Sequence, residues 1–216
     1  MSLKGVIFDM DGVLVATEVW HYQAWKKLTD RLGIPFTQED YDPLRGLSRS
    51  VSMDRILQAN GVAASEEEKK AWAEEKNQTY LQMVDSLSEK DLSGDARYTL
   101  DRLKEAGYRL AVGSSSTHAP FVLKRLGIYD FFDAVVDGTQ LTQAKPAPEV
   151  FLKAAERIGL RPGECLVVED AHAGVEAAFR GGFRCAALGD AKNDPKAKWH
   201  MEGIRDVLRA VVPFDE

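Results

Sequence analysis

The chain is short of cysteine, with two in 216 residues, and it has neither an excess of basic residues nor a long apolar run. Each shortage removes a class of protein. Cys165 and Cys185 sit inside the apolar stretches Cys-Leu-Val-Val and Cys-Ala-Ala-Leu, which predicts buried free thiols and not a disulfide or redox pair. Only four histidines accompany them, and no His/Cys cluster offers a site for zinc. No apolar run approaches the ~18 residues of a membrane span, and the N-terminus lacks the basic-then-apolar pattern of a secretion signal. Acidic residues outnumber basic ones by 34 to 28, a net charge of −6, which argues against a nucleic-acid partner while leaving room for a local basic pocket. The expectation is a cytoplasmic protein with no nucleic-acid or membrane partner, and with nothing in the sequence to argue against a monomer.

What is present is a globular composition, 44% hydrophobic and 29% charged, in a chain long enough to bury a core without disulfide or metal staples. Gly5-Val6-Ile7-Phe8 is a short continuous apolar run that stops abruptly at Asp9-Met10-Asp11-Gly12, the pattern of a strand buried on both faces followed by a tight loop. From Thr17 to Leu32, Trp20, Ala24, Trp25, Leu28 and Leu32 recur at helical spacing, and Gly33 supplies a stop. Helices are expected again over 50–58 and 66–84. The run Glu66-Glu67-Glu68-Lys69-Lys70 reads as a solvated face.

Beyond about residue 91 the rhythm changes. Strands at 109–113, 134–136, 165–168 and 184–188 alternate with helices at 96–106, 118–126, 148–158, 173–179 and 204–210. That alternation predicts an α/β fold, a doubly wound parallel sheet of Rossmann-like type with helices on both faces. The first strand must join this sheet, because it cannot bury itself alone. Residues 16–85 then form an all-helical insertion, a cap, between two pieces of the core, 1–15 and 86–216.

In an open parallel sheet, ligands bind outside the carboxyl ends of the strands. Those ends carry Asp9 and Asp11; Ser114, Ser115 and Ser116; Lys145, in the loop after the third strand; and Glu169 with Asp170. Taken alone, each group has a plainer reading. Asp-x-Asp-Gly can be a turn, the serines and Glu169-Asp170 helix caps, and Lys145-Pro146 a surface lysine before a helix-starting proline. Together at strand ends they make one cleft. Carboxylates sharing a site either take up protons or gather a cation. Asp9, Asp11, Glu169 and Asp170 are all oxygen donors, so Mg²⁺ is the expected cofactor. The serines at a helix N-terminus and the charge of Lys145 favour an anion. Such a cleft suits phosphoryl transfer. Asp9 is the expected nucleophile, forming an aspartyl-phosphate. Asp11, two residues on in an extended chain, points to the same side and can protonate the leaving oxygen.

At these residues the sequence resembles the haloacid dehalogenase superfamily of phosphotransferases. Phe8-Asp9-Met10-Asp11-Gly12-Val13 looks like its first motif, Ser114 its second, Lys145-Pro146-Ala147-Pro148 its third and Glu169-Asp170 its fourth. Asp11 matches the phosphotransferase pattern and not the dehalogenase one. The resemblance implies that Asp9 attacks phosphorus and that Asp11 is acid and then base. It also implies Mg²⁺ on the Asp9 side chain, the Asp11 carbonyl and Asp170, with Glu169 beside it, and a helical cap where the insertion lies.

Within that insertion Thr17, His21-x-x-Ala24-Trp25, Arg45-Gly46-Leu47-Ser48-Arg49 and Lys76-Asn77 are similar to the β-phosphoglucomutase family, as is Ala119-Pro120-Phe121. This implies a small sugar phosphate as partner, β-glucose 1-phosphate converted to glucose 6-phosphate through the 1,6-bisphosphate. Arg49 would hold the phosphate that is not being transferred, and Gly46 and Leu47 would contact the sugar. His21 with Lys76 would link closure of the cap to the position of Asp11, beside Thr17. The run Ser114, Ser115, Ser116, Thr117, His118 and the lysine Lys145 would complete the substrate site. The sequence departs from that family where Thr117-His118 replaces Lys-Asn, Arg45 replaces a lysine and Ala16 replaces an acidic residue. The first change removes a cation from the distal phosphate site, which keeps a second reaction open: hydrolysis of a sugar phosphate or another small organophosphate. A non-catalytic phosphate-binding protein of this fold would be expected to have lost Asp9 or Asp11, and both are present.

Overall fold

Gly5-Val6-Ile7-Phe8 has no polar side chain to offer solvent, and it lies at the centre of the molecule. In the computed structural model, which describes residues 2–211, these residues form β1 (Gly5–Phe8), buried along its whole length. β1 is flanked by β2 (Arg109–Gly113) and β4 (Cys165–Glu169) in a six-stranded sheet of order β3-β2-β1-β4-β5-β6. The sheet is completed by β3 (Ala134–Val136), β5 (Arg184–Ala187) and β6 (Trp199–His200), and every pairing is parallel. Gly5 stands opposite Arg109 on one side and Cys165 on the other, and Phe8 opposite Val112 and Val168. Asp9 therefore leaves the sheet level with Glu169, the last residue of β4, and one residue short of Ser114. The chain winds outward from β1 in one direction and from β4 in the other, so the crevice between their carboxyl ends is the topological switch point where such folds bind ligands.

Alternate residues of each strand feed opposite faces. Val6, Phe8, Leu110, Val112, Leu166 and Val168 pack under α5 (Gly94–Glu105), α6 (Ala119–Arg125) and α9 (Val207–Val211). Ile7, Ala111, Val167 and Cys185 pack under α7 (Glu149–Arg157) and α8 (His172–Arg180). Both cysteines are buried free thiols, as expected, and burial pushes the Cys165 thiol up to about 12, which makes it a poor nucleophile.

Four helices lie between β1 and α5: α1 (Glu18–Leu32), α2 (Gln38–Tyr41), α3 (Arg49–Ala59) and α4 (Glu66–Val84). Trp25, Leu28, Phe36, Met53 and Ile56 form an apolar cluster of their own, separate from both clusters on the sheet. α1 stops at Gly33, whose φ of 67° is left-handed, and α4 starts on a capping box in which Ser65 Oγ accepts from the Glu68 amide at 3.2 Å. α5 begins at Gly94, two residues ahead of the expected start, because the Ser93 hydroxyl accepts from the Ala96 amide at 3.0 Å. The two-residue β6 and the single-turn α2 were not expected, being too short to show a period. No helix among the described residues is long and apolar enough to cross a membrane. Residue 1 and residues 212–216, at the ends of the expected core segments, lie outside the described residues.

Candidate active site

The loop after β1 has to turn within two residues of the sheet, and Gly12 permits it with a φ of 81°. A Cβ there would lie 2.0 Å from Asp170 Oδ2 and 2.3 Å from Glu18 Oε1, so this glycine also lets two carboxylates close over the chain. Asp9, Glu169 and Asp170, all buried, bring one carboxylate oxygen each within 4.8 Å of one another. Lys145 reaches into this group from the loop before α7. Its Nζ donates to Asp9 Oδ1 at 2.6 Å and to Glu169 Oε1 at 2.5 Å, with the side chain fully buried. The other oxygen of Glu169 accepts the amides of Asp170 and Ala171 at 2.8 and 2.9 Å. Glu169 thus ties the lysine to the loop after β4.

Asp11 belongs to a second group. Thr17, at the head of α1, donates its hydroxyl to Asp11 Oδ1, and His21 Nε2 lies 3.5 Å from the same oxygen. His21 Nδ1 is 2.8 Å from Lys76 Nζ. An ammonium can only donate, so with Lys76 protonated Nδ1 accepts and the hydrogen on Nε2 faces Asp11. The His21 ring stacks on Tyr80 at 4.1 Å between centroids, and Lys76 Nζ lies over the same tyrosine and over Trp25.

Across the cavity Arg49 Nη2 donates to the Thr117 hydroxyl at 3.3 Å, and Arg49 Nη1 lies 3.4 Å from the Glu74 carboxylate. His118 Nε2 is 2.6 Å from Asn77 Oδ1 on α4, and Ser115 donates to the Gly46 carbonyl at 3.0 Å. These bonds join the loop after β2 to the helices that precede it. All this surrounds one cavity of about 660 Å³.

The family profile of haloacid dehalogenase-like hydrolases matches residues 3–182. The chain belongs to that family. It is 35% identical to the β-phosphoglucomutase of Bacillus subtilis over 192 residues, 88% of this chain and 85% of the other. A phosphorylated carbohydrates phosphatase of Thermotoga maritima is 31% identical over 199 residues, covering 90% and 89%. The crystal structure of β-phosphoglucomutase from Clostridium difficile superposes with a TM-score of 0.89 at 34% identity, covering 95% of this chain and 93% of that one.

Most of the residues that sequence reasoning assigned to this haloacid dehalogenase-like site line the cavity: Asp9, Asp11, His21, Gly46, Leu47, Arg49, Lys76, Ser115, Ser116, Thr117, His118 and Asp170. Thr17, Ser114, Lys145 and Glu169 stand behind its wall. Ser114 is fully buried, and its hydroxyl accepts from the Ser116 amide at 3.0 Å, so it shapes the loop from within. The sequence places Arg45 in the family-like run 45–49 without giving it a partner, and it gives no site role to Glu18 or Asp190. Arg45 Nη2 donates to Asp170 Oδ2 at 2.7 Å while its Nη1 bonds Asp190. Asp190 lies just after β5, at the same sheet end as the other site residues, and Glu18 had no signal beyond an acidic residue in a first helical turn.

Electrostatics divides the carboxylates. Burial, with the charges of Glu169 and Asp11 adding to it and that of Lys145 opposing, holds the Asp9 carboxyl well above its ordinary range. Burial and the charges of Glu169 and Asp9 do the same to Asp170. Burial alone would raise Asp11 too, yet hydrogen bonds from His21 and Thr17 and the charge of Lys76 hold it below its ordinary value. Burial, then the neighbouring Arg49, pushes Lys76 down to about 7. Burial, then Arg49 and Lys76, lowers His118. Lys145 goes the other way, because Asp9 and Glu169 outweigh its desolvation.

The buried triad fits a divalent metal ion. Lys145 bonds two of the three carboxylates and Arg45 the third, yet burial and their mutual repulsion keep Asp9 and Asp170 well above the ordinary range, and the donors are all hard oxygens. Asp170 and Asp9 are the residues with oxygens to spare, since both oxygens of Glu169 are committed to Lys145 and the main chain.

Proposed function

We propose that this protein is a Mg²⁺-dependent phosphotransferase that works through an aspartyl-phosphate at Asp9 and interconverts β-glucose 1-phosphate and glucose 6-phosphate. The observation that carries this reading is the double character of the cavity. Asp9 and Asp11 line it together, and Arg49, Lys76 and His118 line it as well without any bond to Asp9. A bisphosphate presents two dianions, and one cavity here offers a nucleophile for the first and, apart from it, the Arg49 cation with the donors of Lys76 and His118 for the second. The likeness to β-phosphoglucomutases of Bacillus subtilis and Clostridium difficile supports the same reaction.

Asp9 and Asp170 would hold the Mg²⁺ with the main-chain carbonyl of Asp11, and the bound ion would offset charge on the phosphoryl oxygens. The Asp9 carboxylate attacks phosphorus, the bond from phosphorus to the sugar oxygen breaks, and Asp11, protonated for this step against the hold of His21 and Thr17 that keeps it ionised in this arrangement, gives that oxygen its proton. In the return step the Asp11 carboxylate takes the proton of the incoming sugar hydroxyl, whose oxygen attacks the phosphorus on Asp9. Starting from the monophosphate this makes the 1,6-bisphosphate. A second transfer from its 1-position to Asp9 leaves glucose 6-phosphate. Lys145 steadies Asp9 and Glu169, and the chain Lys76–His21–Asp11 carries the state of the helical segment to the acid-base group. Residues 16–85 act as a cap over the core of 1–15 and 86–216, and closing it excludes water from the aspartyl-phosphate. The enzyme is read as a monomer of the cytoplasm acting on a small molecule.

Asp11→Ala is expected to fold as the wild type does and to lose about three orders of magnitude in kcat, the scale of general acid-base catalysis. Steady-state assays alongside a thermal melt check it, and a kcat within tenfold of wild type would remove Asp11 from the mechanism.

A second reading, hydrolysis of sugar phosphates, is favoured by the Glu74 carboxylate on Arg49 and by Thr117-His118, which together leave less net positive charge for a distal phosphate. Phosphorus NMR separates the two. Purified protein with Mg²⁺, β-glucose 1-phosphate and a trace of the 1,6-bisphosphate is expected to give glucose 6-phosphate with little free phosphate. Inorganic phosphate as the main product would overturn the mutase in favour of the phosphatase.

A further inference from the structure

Arg45 stands in the loop between α2 and α3, but its guanidinium ends in the core. Nη2 donates to Asp170 Oδ2 at 2.7 Å and Nη1 bonds Asp190, so one side chain ties the 42–48 loop to the loops after β4 and β5. The Asp170 side chain is 5% exposed and that of Arg45 18%, so water screens their attraction poorly. The third nitrogen, Nε, is buried without a hydrogen-bond partner, and so is Glu18 Oε1, which faces Asp170 Oδ2 across Gly12. Arg45 is thus held by charge within a ring of acidic groups, and one of them is a carboxylate of the buried triad.

A guanidinium does not give up its proton, so it cannot make way for a second cation by discharging. It has to be tolerated or displaced. We infer that Arg45 is a positioning residue that competes with the divalent cation for Asp170. Whichever of the two holds that carboxylate weakens the hold of the other, and because Arg45 is anchored on the cap side, the competition links metal occupancy to the grip of the 42–48 loop on the core. Such linkage is reciprocal: a cation at Asp170 loosens the loop, and freeing the loop tightens the cation. The inference rests on the reading that Asp9 and Asp170 hold Mg²⁺, and it adds a residue to which that reading gives no part.

The test is a calorimetric titration of Mg²⁺ into the full chain with no phosphate ester present, comparing wild type with Arg45→Met and Arg45→Lys. Arg45→Met is expected to bind Mg²⁺ about tenfold tighter, within the usual range of coupling between two sites. Arg45→Lys keeps the charge and is expected to stay within about threefold of wild type. Hydrogen exchange gives a readout that a purely structural role would not move: adding Mg²⁺ is expected to speed exchange over 44–48 in wild type and to leave it unchanged in Arg45→Met. That measurement on wild type alone decides the matter should Arg45→Met fail to fold, since unaltered exchange on saturation with Mg²⁺ would refute the competition. Measurable but equal or weaker Mg²⁺ affinity in Arg45→Met overturns this inference and leaves the metal site standing. Absence of Mg²⁺ binding in all three proteins overturns the metal site and the inference with it.

Discussion

Asp9→Asn is expected to end phosphoryl transfer, lowering turnover by at least about four orders of magnitude, as removal of a covalent nucleophile does. The substitution keeps the volume of the side chain and its place at the end of β1, where the Asp9 amide still donates to the Val168 carbonyl at 2.9 Å. Lys145 keeps Glu169 as a partner, and one of three crowded acids is gone, so no loss of fold accompanies the loss of chemistry. Intact-mass measurement after brief exposure to the 1,6-bisphosphate gives the sharper result. Wild type should gain one phosphoryl group and Asp9→Asn none. A labelled variant, or turnover within tenfold of wild type, would move the nucleophile elsewhere.

Lys145→Met carries the largest expected cost to stability. Lys145 is buried to 1% exposure with its ammonium between Asp9 and Glu169 and 4.7 Å from the Phe151 ring. Methionine fills much of the same space but strips two buried carboxylates of their countercharge. Breaking a buried ion pair from one side costs about 3–5 kcal/mol. The deficit should depend on pH, with a definite sign. Burial already holds Asp9 above the ordinary carboxylate range, and loss of the lysine raises it further. A group with a raised folded pKa contributes stability at pH values below its unfolded pKa and loses it as pH rises through the folded one. The variant should therefore be furthest below wild type at neutral pH and recover as the medium is made acid. Urea denaturation at pH 7 and pH 5 without added metal measures both points, and equal midpoints at pH 7 would show that the lysine is not needed to keep the carboxylates buried.

Much of this arrangement could be read from the chain. β1 announced itself because four consecutive apolar residues leave no solvent face, and the carboxylates after it because charged residues at strand ends have few places to go but the crevice. The bond from Arg45 to Asp170 could not be read in the same way. A sequence shows that an arginine is charged, but the choice among several nearby acids is made by the packing of α2, α3 and the loops after β4 and β5. Depth was also hidden: Ser114 and Lys145 were expected in the wall of the cleft and lie behind it. Motif spacing fixes which strand end a residue occupies. Whether its side chain faces the cavity or a neighbour is decided by local hydrogen bonds, such as the one from the Ser116 amide to Ser114 Oγ.

The register of the central strand has a consequence for how the molecule is made. β1 is translated before every other strand of its sheet, and its hydrogen-bonding neighbours begin only at Arg109 and Cys165. Until those residues are synthesised, Val6, Ile7 and Phe8 have two bare edges and no core to enter, the kind of exposed strand that pairs with the wrong chain. α1, α3 and α4 share an apolar cluster close in sequence and can gather around Trp25, Leu28 and Met53 in the meantime. The segment that carries the nucleophile is thus translated ahead of both its neighbours and finished after them, and an interrupted translation that stops short of β4 yields a chain in which Asp9 has no partner strand on the side where Glu169 and Asp170 belong.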